Sequence, residues 1–412
     1  MDRITAQQAA TKWNISLRRV QDYCRQGQIT GAERFGHNWM IPADAQKPTD
    51  RRRKGSTDDS IPKGHLLRRS PFLDMTDLYC EAGSADRCIE ELCYNVETQA
   101  LFEAAITYSR GNIDEVHNHA RYFLNNHSEF FAVVSGGLLL SLVAMWKGDV
   151  QLWNEARRHL LDAPCKDDAD RDMLALSIAA ADSAIRNTND FPKWFTKGCF
   201  DRLPRDSLPA ARVYYCRYLM IHAHELALGN VKIDGVQGLS LLKTLPYLIE
   251  PMISQMVSDR IILAEIYLRL MCATAYRMNG DNASAAEHID NAVRLCLADG
   301  LYGPLAERRS ALGSLLDDRV AAYDPSALKR LKELDKQLHH GWTKVHNAVL
   351  KKTVSAHLSP REREVARLVA FGFSDQQIAS RLFISESSVK TLVRSAKNKT
   401  GVEKRRELID FI

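Results

Sequence analysis

Helix start and stop signals crowd residues 358–412 so closely that only short helices fit between them. Ser359-Pro360-Arg361-Glu362 is a capping box with proline at the first helical position, so a hydroxyl and a carboxylate take up amides that a helix start leaves without partners. Gly372 ends that helix, since glycine enters the left-handed conformation without a Cβ clash. Ser374 and Gln377 form a second box, opening a helix with Ile378, Ala379 and Leu382 on its inner face. A tight turn through Phe383 and Ile384 leads to Ser385, which caps a third helix carrying Lys390, Arg394, Lys397 and Lys399. Gly401 stops it, and Glu403 to Ile412 supplies a fourth.

Two short helices joined by a tight turn, the second polar and basic outside, form a helix-turn-helix able to lay its second helix in a DNA major groove. The stretches Leu-Ser-Pro-Arg-Glu-Arg-Glu-Val (358–365), Gly-Phe-Ser-Asp-Gln-Gln-Ile-Ala (372–379), Leu-Phe-Ile-Ser-Glu-Ser-Ser-Val-Lys (382–390) and Lys-Thr-Gly-Val (399–402) resemble the C-terminal DNA-binding domain of LuxR-type bacterial regulators. The resemblance implies that Val389 anchors the recognition helix and that Lys390, Thr391 and Arg394 face the groove, where Lys and Arg meet guanine edges or phosphates. It places Lys397 and Lys399 on phosphates. Ser385 and Ser387 lie at the helix N-terminus, where free amides suit a phosphate, and Ser388 stands in the same set where the family usually has threonine. The last helix, apolar at Leu408, Ile409 and Ile412, resembles the family's dimer-forming element, which implies a homodimer on double-stranded DNA. Two further departures remove polar or basic contacts: Leu392 replaces a usual histidine, and Gln376 a commonly basic residue.

The first 47 residues repeat the theme with other parts. Thr5 and Gln8 form a capping box ahead of Ala9, Ala10 and Trp13, Asn14 breaks the helix, and Ser16 caps a second with Leu17, Val20 and Tyr23 inward. Gly27 ends it. Ala32 to Phe35 and Trp39 to Ile41 read as strands joined through Gly36-His37-Asn38. Ile4-Thr5-Ala6-Gln7-Gln8-Ala9-Ala10, Trp13-Asn14-Ile15-Ser16, Arg18-Arg19-Val20-Gln21 and Arg34-Phe35-Gly36-His37-Asn38-Trp39 resemble the excisionase and MerR-like winged-helix domains. That resemblance implies a second DNA contact through Ser16, Arg18, Arg19 and Gln21 on the helix and Arg34, His37 and Asn38 at the wing.

Charge follows the same division. Residues 1–69 carry a net +7 and residues 351–412 a net +6, whereas residues 70–350 carry −8. Basic ends on an acidic middle fit two nucleic-acid-binding modules on a body that does not itself bind DNA. Residues 48–69, with Arg51-Arg52-Arg53-Lys54 and almost nothing apolar, read as a basic flexible linker.

From 70 to 350 the pattern is helical throughout. Gly111-Asn112, Gly148-Asp149 and Gly280-Asp281 each punctuate a helix pair, followed by alanines at packing positions (Ala120; Ala156; Ala285, Ala286 and Ala292), with Leu228-Gly229-Asn230 as a degenerate fourth. Ala273 to Leu301 resembles a tetratricopeptide-type repeat, which implies an α-solenoid. Many LuxR-type regulators resemble this order, with a helical sensor ahead of the DNA-binding domain. The implied partners of the body are RNA polymerase, a regulatory protein or a small-molecule signal. The expected fold is therefore mainly α: a small winged helix over 1–47, the linker, an α-solenoid over 70–350 and a four-helix helix-turn-helix domain over 355–412.

No Walker A run, nucleophile–base pair or metal set stands out, so neither an enzyme nor a cofactor is expected. The histidine pairs 117/119, 222/224 and 339/340 lack a carboxylate or cysteine at helix spacing and read as structural. Nine cysteines in no paired spacing read as reduced thiols of a cytoplasmic protein. The apolar run Gly136 to Trp146 is too short to span a bilayer and reads as a buried helix, so no membrane partner is expected. The leading expectation is a transcriptional regulator; an architectural or recombination-accessory DNA-binding protein and a helical interaction scaffold stand as alternatives.

Overall fold

The computed structural model describes residues 3–13, 17–25, 29–35, 38–45, 47, 70–92, 96–227, 238–352, 354, 358–400, 402–405 and 407–408. The chain divides into two compact units, residues 1–63 and 64–412.

In the first unit β1 (Arg3–Thr5), α1 (Ala6–Trp13), α2 (Leu17–Arg25), β2 (Glu33–Phe35) and β3 (Asn38–Pro42) follow in order. β3 is the middle strand of an antiparallel sheet ordered β1-β3-β2, with Ile4 opposite Ile41 and Arg34 opposite Trp39. The Thr5–Gln8 box forms: the Thr5 amide donates to Gln8 Oε1 (2.8 Å) and the Gln8 amide to Thr5 Oγ1 (3.2 Å). Ala9, Ala10, Trp13, Val20, Tyr23 and Ile41 make the core. Three points differ from the sequence reading. β1 escaped notice because three residues are too few to show alternation. Phe35 pairs with Asn38, so the hairpin connection is residues 36–37, one shorter than expected. Leu17 is exposed, because Val20 and Tyr23 already fill the inner face of α2. Asn14, Ser16, Gly27, Gly36, His37 and the linker over 48–69 lie outside the described residues, apart from Lys47 just before it.

The second unit begins with α3 (Ala85–Glu91), α4 (Val96–Arg110), α5 (Ile113–Asn126), α6 (Phe130–Lys147), α7 (Val150–Leu161), α8 (Asp168–Ala184) and α9 (Lys193–Thr196). It continues with α10 (Leu208–Ala227), α11 (Gly238–Asp259), α12 (Ile262–Asn279), α13 (Asn282–Ala298), α14 (Tyr302–Tyr323) and α15 (Pro325–Leu350). The three glycine turns join α4 to α5, α6 to α7 and α12 to α13, with φ of 81°, 67° and 87° at Gly111, Gly148 and Gly280. Asp149 and Asp281 cap the following helices by accepting from the Leu152 (2.9 Å) and Ser284 (3.0 Å) amides, each cap contributing about 1 kcal/mol. Ala120, Ala156, Ala285 and Ala292 are fully buried where the paired helices meet. The fourth glycine turn, 228–230, lies outside the described residues.

In an open solenoid each repeat meets only its neighbours. Here α14 packs on α4, and α15 on α6 and α7, so the helical body closes on itself. Gly341 makes that closure possible: a Cβ there would lie 2.1 Å from the Trp146 carbonyl oxygen. Next to it the Trp342 indole donates to the Ala184 carbonyl (2.9 Å), and His346 Nδ1 meets the Ile185 carbonyl at 2.7 Å. The apolar run belongs to a longer helix than expected, α6, long and apolar enough to cross a membrane by composition alone; 78% of it is buried in the body. Its composition is that of a core helix. Tyr214 is buried, while Tyr215, Tyr218 and Trp194 are half-buried in an aromatic cluster with Phe195 and Phe200.

The same unit ends in α16 (Pro360–Ala370), α17 (Asp375–Leu382) and α18 (Glu386–Thr400). Both capping boxes form with both hydrogen bonds, at Ser359–Glu362 and Ser374–Gln377. Gly372 turns left-handed at φ 82°. Val365, Ile378, Val389 and Leu408 meet in a separate core, Val389 fully buried as expected. Of the expected fourth helix, residues 403–405 and 407–408 make a single turn; Gly401 and 409–412 lie outside the described residues.

Candidate nucleic-acid interface

α17 and α18 stand as the helix-turn-helix predicted, joined through Phe383 in the left-handed region at φ 52°. The α17 C-terminus is fixed there by Arg361, whose Nη2 donates to the Leu382 carbonyl at 3.0 Å. On α18 the side chains of Lys390, Thr391 and Arg394 are exposed, and neither Lys390 nor Arg394 makes an ion pair with any described residue. Ser385, Ser387 and Ser388 cluster at its N-terminus: Ser385 Oγ lies 2.7 Å from Ser387 Oγ and accepts from the Ser388 amide at 3.1 Å. The Thr391 hydroxyl turns back to the Ser387 carbonyl (2.9 Å). Lys397 is half-buried. The domain thus presents a polar, positively charged helix face of the kind that meets phosphates and base edges.

Lys399 is differently occupied. Its ammonium donates to Glu362 Oε2 at 2.8 Å, Ser395 Oγ donates to Glu362 Oε1 at 2.6 Å, and the Ser359 amide donates to Oε2 at 2.6 Å. Burial by itself would raise the Glu362 carboxyl, but the donors from Lys399, Ser395 and Ser359 overcome it and hold the group at about 2. The capping glutamate of α16 therefore also clamps the far end of α18. Sequence reading found the cap and missed the clamp, because Ser395 and Lys399 are more than thirty residues away and carry no local signal. A second clamp ties the C-terminal turn to α17 through Arg405, which pairs with Asp375 and donates to the Phe373 carbonyl (3.1 Å).

The face of α16 opposite that clamp is docked on the helical body. α14 breaks at Gly313 (φ 53°, ψ −137°), where a Cβ would sit 2.5 Å from Glu364 Oε1. The break frees the Leu312 carbonyl. Arg277 of α12 donates to that carbonyl and pairs with Glu364, both side chains being buried. Arg367 adds a bond to the Ser310 carbonyl (3.0 Å), Arg361 one to Ser314 Oγ (3.3 Å), and Phe371 packs edge-on to His224 with centroids 5.0 Å apart.

In the first unit Arg34 is exposed and Gln21 half-buried. The side chains of Arg18, Arg19 and Asn38, with all of Ser16 and His37, fall outside the described residues. Arg3 and Glu33 form an exposed pair at 2.6 Å.

The histidine reading needs correction: Asp114 stands one helical turn before His117, and Asp335 one before His339. Glu115 stands one helical turn before His119, and α4 brings Glu103 to both, so the three donor atoms lie within 4.8 Å of one another. Glu250, Cys272 and His288 make a comparable group. A carboxylate at helix spacing was therefore present and overlooked at His119. Each group offers three donors, and neither alone specifies a cation.

The family model for bacterial regulatory proteins of the luxR family matches residues 352–412. The HTH-type transcriptional regulator MalT of Vibrio cholerae is 27% identical over 146 residues, which cover 32% of this chain and 16% of that relative. This match is about twice as long as the family-model segment, too long to avoid the helical body wherever it lies in the chain. The chain spans less than a fifth of that relative's length. No solved structure matches. Residues 352–412 are a LuxR-family helix-turn-helix DNA-binding domain at the end of a mainly helical chain.

Proposed function

We propose that the chain is a transcriptional regulator that reads double-stranded promoter DNA with α18 and receives its signal on the helical body. The observation that carries this is the exposed face of Lys390, Thr391 and Arg394, without ion pairs among the described residues, on a domain of a DNA-binding family. In this reading Lys390 and Arg394 meet base edges, Ser385, Ser387 and Ser388 present an amide-rich helix start to a phosphate, and Lys397 reaches the backbone. Lys399 joins the phosphate contacts only at the cost of its bond to Glu362. The domain acts as a homodimer on paired half-sites. The body, over about 70–350, supplies tetratricopeptide-like helix pairs closed into one core. The module over 1–47 is a small winged helix giving a second DNA contact through Ser16, Arg18, Arg19, Gln21, Arg34, His37 and Asn38, tethered by 48–69. Two tethered contacts multiply affinity by roughly 10²–10⁴ when both sites lie within linker reach.

Genomic DNA pull-down with sequencing, comparing the full chain with a Lys390→Ala/Arg394→Ala variant of equal helicity, tests the reading. Promoter peaks should disappear from the variant; an unchanged peak set would refute it.

A further inference from the structure

α6, α8, α10, α11, α12, α14 and α15 surround a cavity of about 190 Å³, and α16 of the DNA-binding domain supplies part of its wall. Five arginines line it, Arg186, Arg217, Arg308, Arg363 and Arg367, against three carboxylates. Glu307 matches one of the five, Arg217 (2.8 Å), while the other two have partners off the wall: Asp335 pairs with Arg309 (2.7 Å) and Glu225 lies 3.6 Å from Lys352. Among the described residues no carboxylate stands within ion-pair distance of Arg308, Arg363 or Arg367.

The polar atoms tell the same story. Nine buried side-chain nitrogens and oxygens of the described residues find no protein partner, and five are on this wall: Nε of Arg217, Arg308 and Arg363, and Nε2 of His224 and His339. Arg217 and Arg363 are 7% and 6% exposed, so these guanidinium groups have surrendered most of their hydration. Burial and the neighbouring arginines bring Arg308 down to about 10 and Arg367 to about 9, and burial holds His339 neutral. Like charges gathered in a low-dielectric space repel one another unless an anion sits between them.

The rest of the wall is apolar, with Met220, Met278, Leu338, Trp342 and Phe371. The volume exceeds the roughly 150 Å³ that admits a benzene ring and falls short of the roughly 300 Å³ at which drug-sized pockets begin. Arg363 and Arg367 are held in place by bonds to the Leu358 (2.7 Å) and Ser310 (3.0 Å) carbonyls, which leave further N–H groups free to donate.

We propose that this cavity binds a small organic anion, a carboxylate or phosphate monoester on a body no larger than one ring. Arg308, Arg363 and Arg367 take the anionic head, and Trp342 and Phe371 flank the body. Since Arg363 and Arg367 belong to α16 and Phe371 directly follows it, the occupant touches the helical body and the DNA-binding domain at once. As the signal of the regulator this site rests on the proposed function; as a binding site it does not.

Titration calorimetry and thermal unfolding of the full chain at constant ionic strength, with phenyl phosphate, benzoate and neutral benzyl alcohol, test it. Saturable binding of at least one anion but not the alcohol is expected, weakened tenfold or more by Arg308→Met and, as a second variant, by Arg367→Gln. Absence of saturable binding by both anions overturns the proposal, as does binding that both variants retain. A higher melting temperature for Arg308→Met with no anion effect on the parent chain also overturns it, leaving the arginines as repulsion without a ligand. Anion binding by a chain that finds no promoter would instead sink the functional reading and leave the site standing.

Discussion

Glu362→Gln should loosen the joint between α16 and α18 by about 3 kcal/mol at neutral pH, and the effect should vanish in acid. The buried Glu362 carboxylate accepts from Lys399, Ser395 and the Ser359 amide at 2.6–2.8 Å. Those donors bring the group from an ordinary 4.5 down to about 2. Each unit is worth about 1.4 kcal/mol, so the ionised carboxylate stabilises the folded domain by about 3 kcal/mol. Because the folded value is the lower one, this stabilisation is complete above about 4.5 and is lost as pH falls toward about 2. The carboxamide keeps the shape but offers an NH₂ to a site already filled with donors, and it does not titrate. Hydrogen exchange of α16 and α18 amides in the full chain reads the local opening free energy directly. At pH 7 the variant should exchange on the order of a hundredfold faster than the parent, while amides of α12 and α13 stay unchanged. At pH 3 less than half of the free-energy difference should remain. A difference that is the same at both pH values would show that the effect is lost packing, and the electrostatic argument would fall.

Lys390→Ala should weaken specific DNA binding by about 1–3 kcal/mol without moving the melting curve, whereas Lys399→Ala should lower the stability of α18 first. Equal behaviour of the two in both assays would mean that the Glu362 clamp does not separate their roles. Arg277→Met removes one partner of a buried ion pair and should cost about 3 kcal/mol of docking, seen as faster exchange in α16 with α18 protected; uniform exchange across both helices would count against a separable interface. Gly313→Ala places a Cβ 2.5 Å from a carboxylate oxygen in a conformation that suits glycine, so the full chain should melt several degrees lower, and an unshifted midpoint would rule out the close approach.

What the sequence displayed and what it hid divide along one physical line. Helix starts were legible because caps are local: Ser359 with Glu362, Ser374 with Gln377 and Thr5 with Gln8 each lie within four residues of their partners. Glycine turns at 111, 148 and 280 were legible for the same reason. The closure of the body was not, because Gly341 against the Trp146 carbonyl and Trp342 against Ala184 join residues more than 150 apart and look like any helix interior. Arg277, Arg363 and Glu364 carry no local signal of burial, yet the fold buries all three and pairs Arg277 with Glu364 across 87 residues of chain. His119 shows the same failure at short range: Glu115 was one turn away, but Glu103 had to arrive from another helix.

The docking geometry also limits how any signal can act. α16 is held by the face that carries Glu364 and Arg367, while Lys390, Thr391 and Arg394 point to solvent from α18. The body therefore leaves the face proposed to meet DNA open, and on that reading covering and uncovering it is not the available switch. What the body fixes is the placement of the domain. On the proposed reading two copies meet half-sites separated by roughly one or more helical turns of about 34 Å, so placement alone decides whether both domains engage at once. A ligand changes that outcome only through a difference in affinity between docked and undocked arrangements, a tenfold preference being worth about 1.4 kcal/mol. The cavity meets this requirement because three of its lining residues leave with α16: undocking would strip Arg363, Arg367 and Phe371 from a bound anion. Any anion held there must favour the docked arrangement, and the regulator's response to its ligand has a sign fixed by which arrangement the paired half-sites accept.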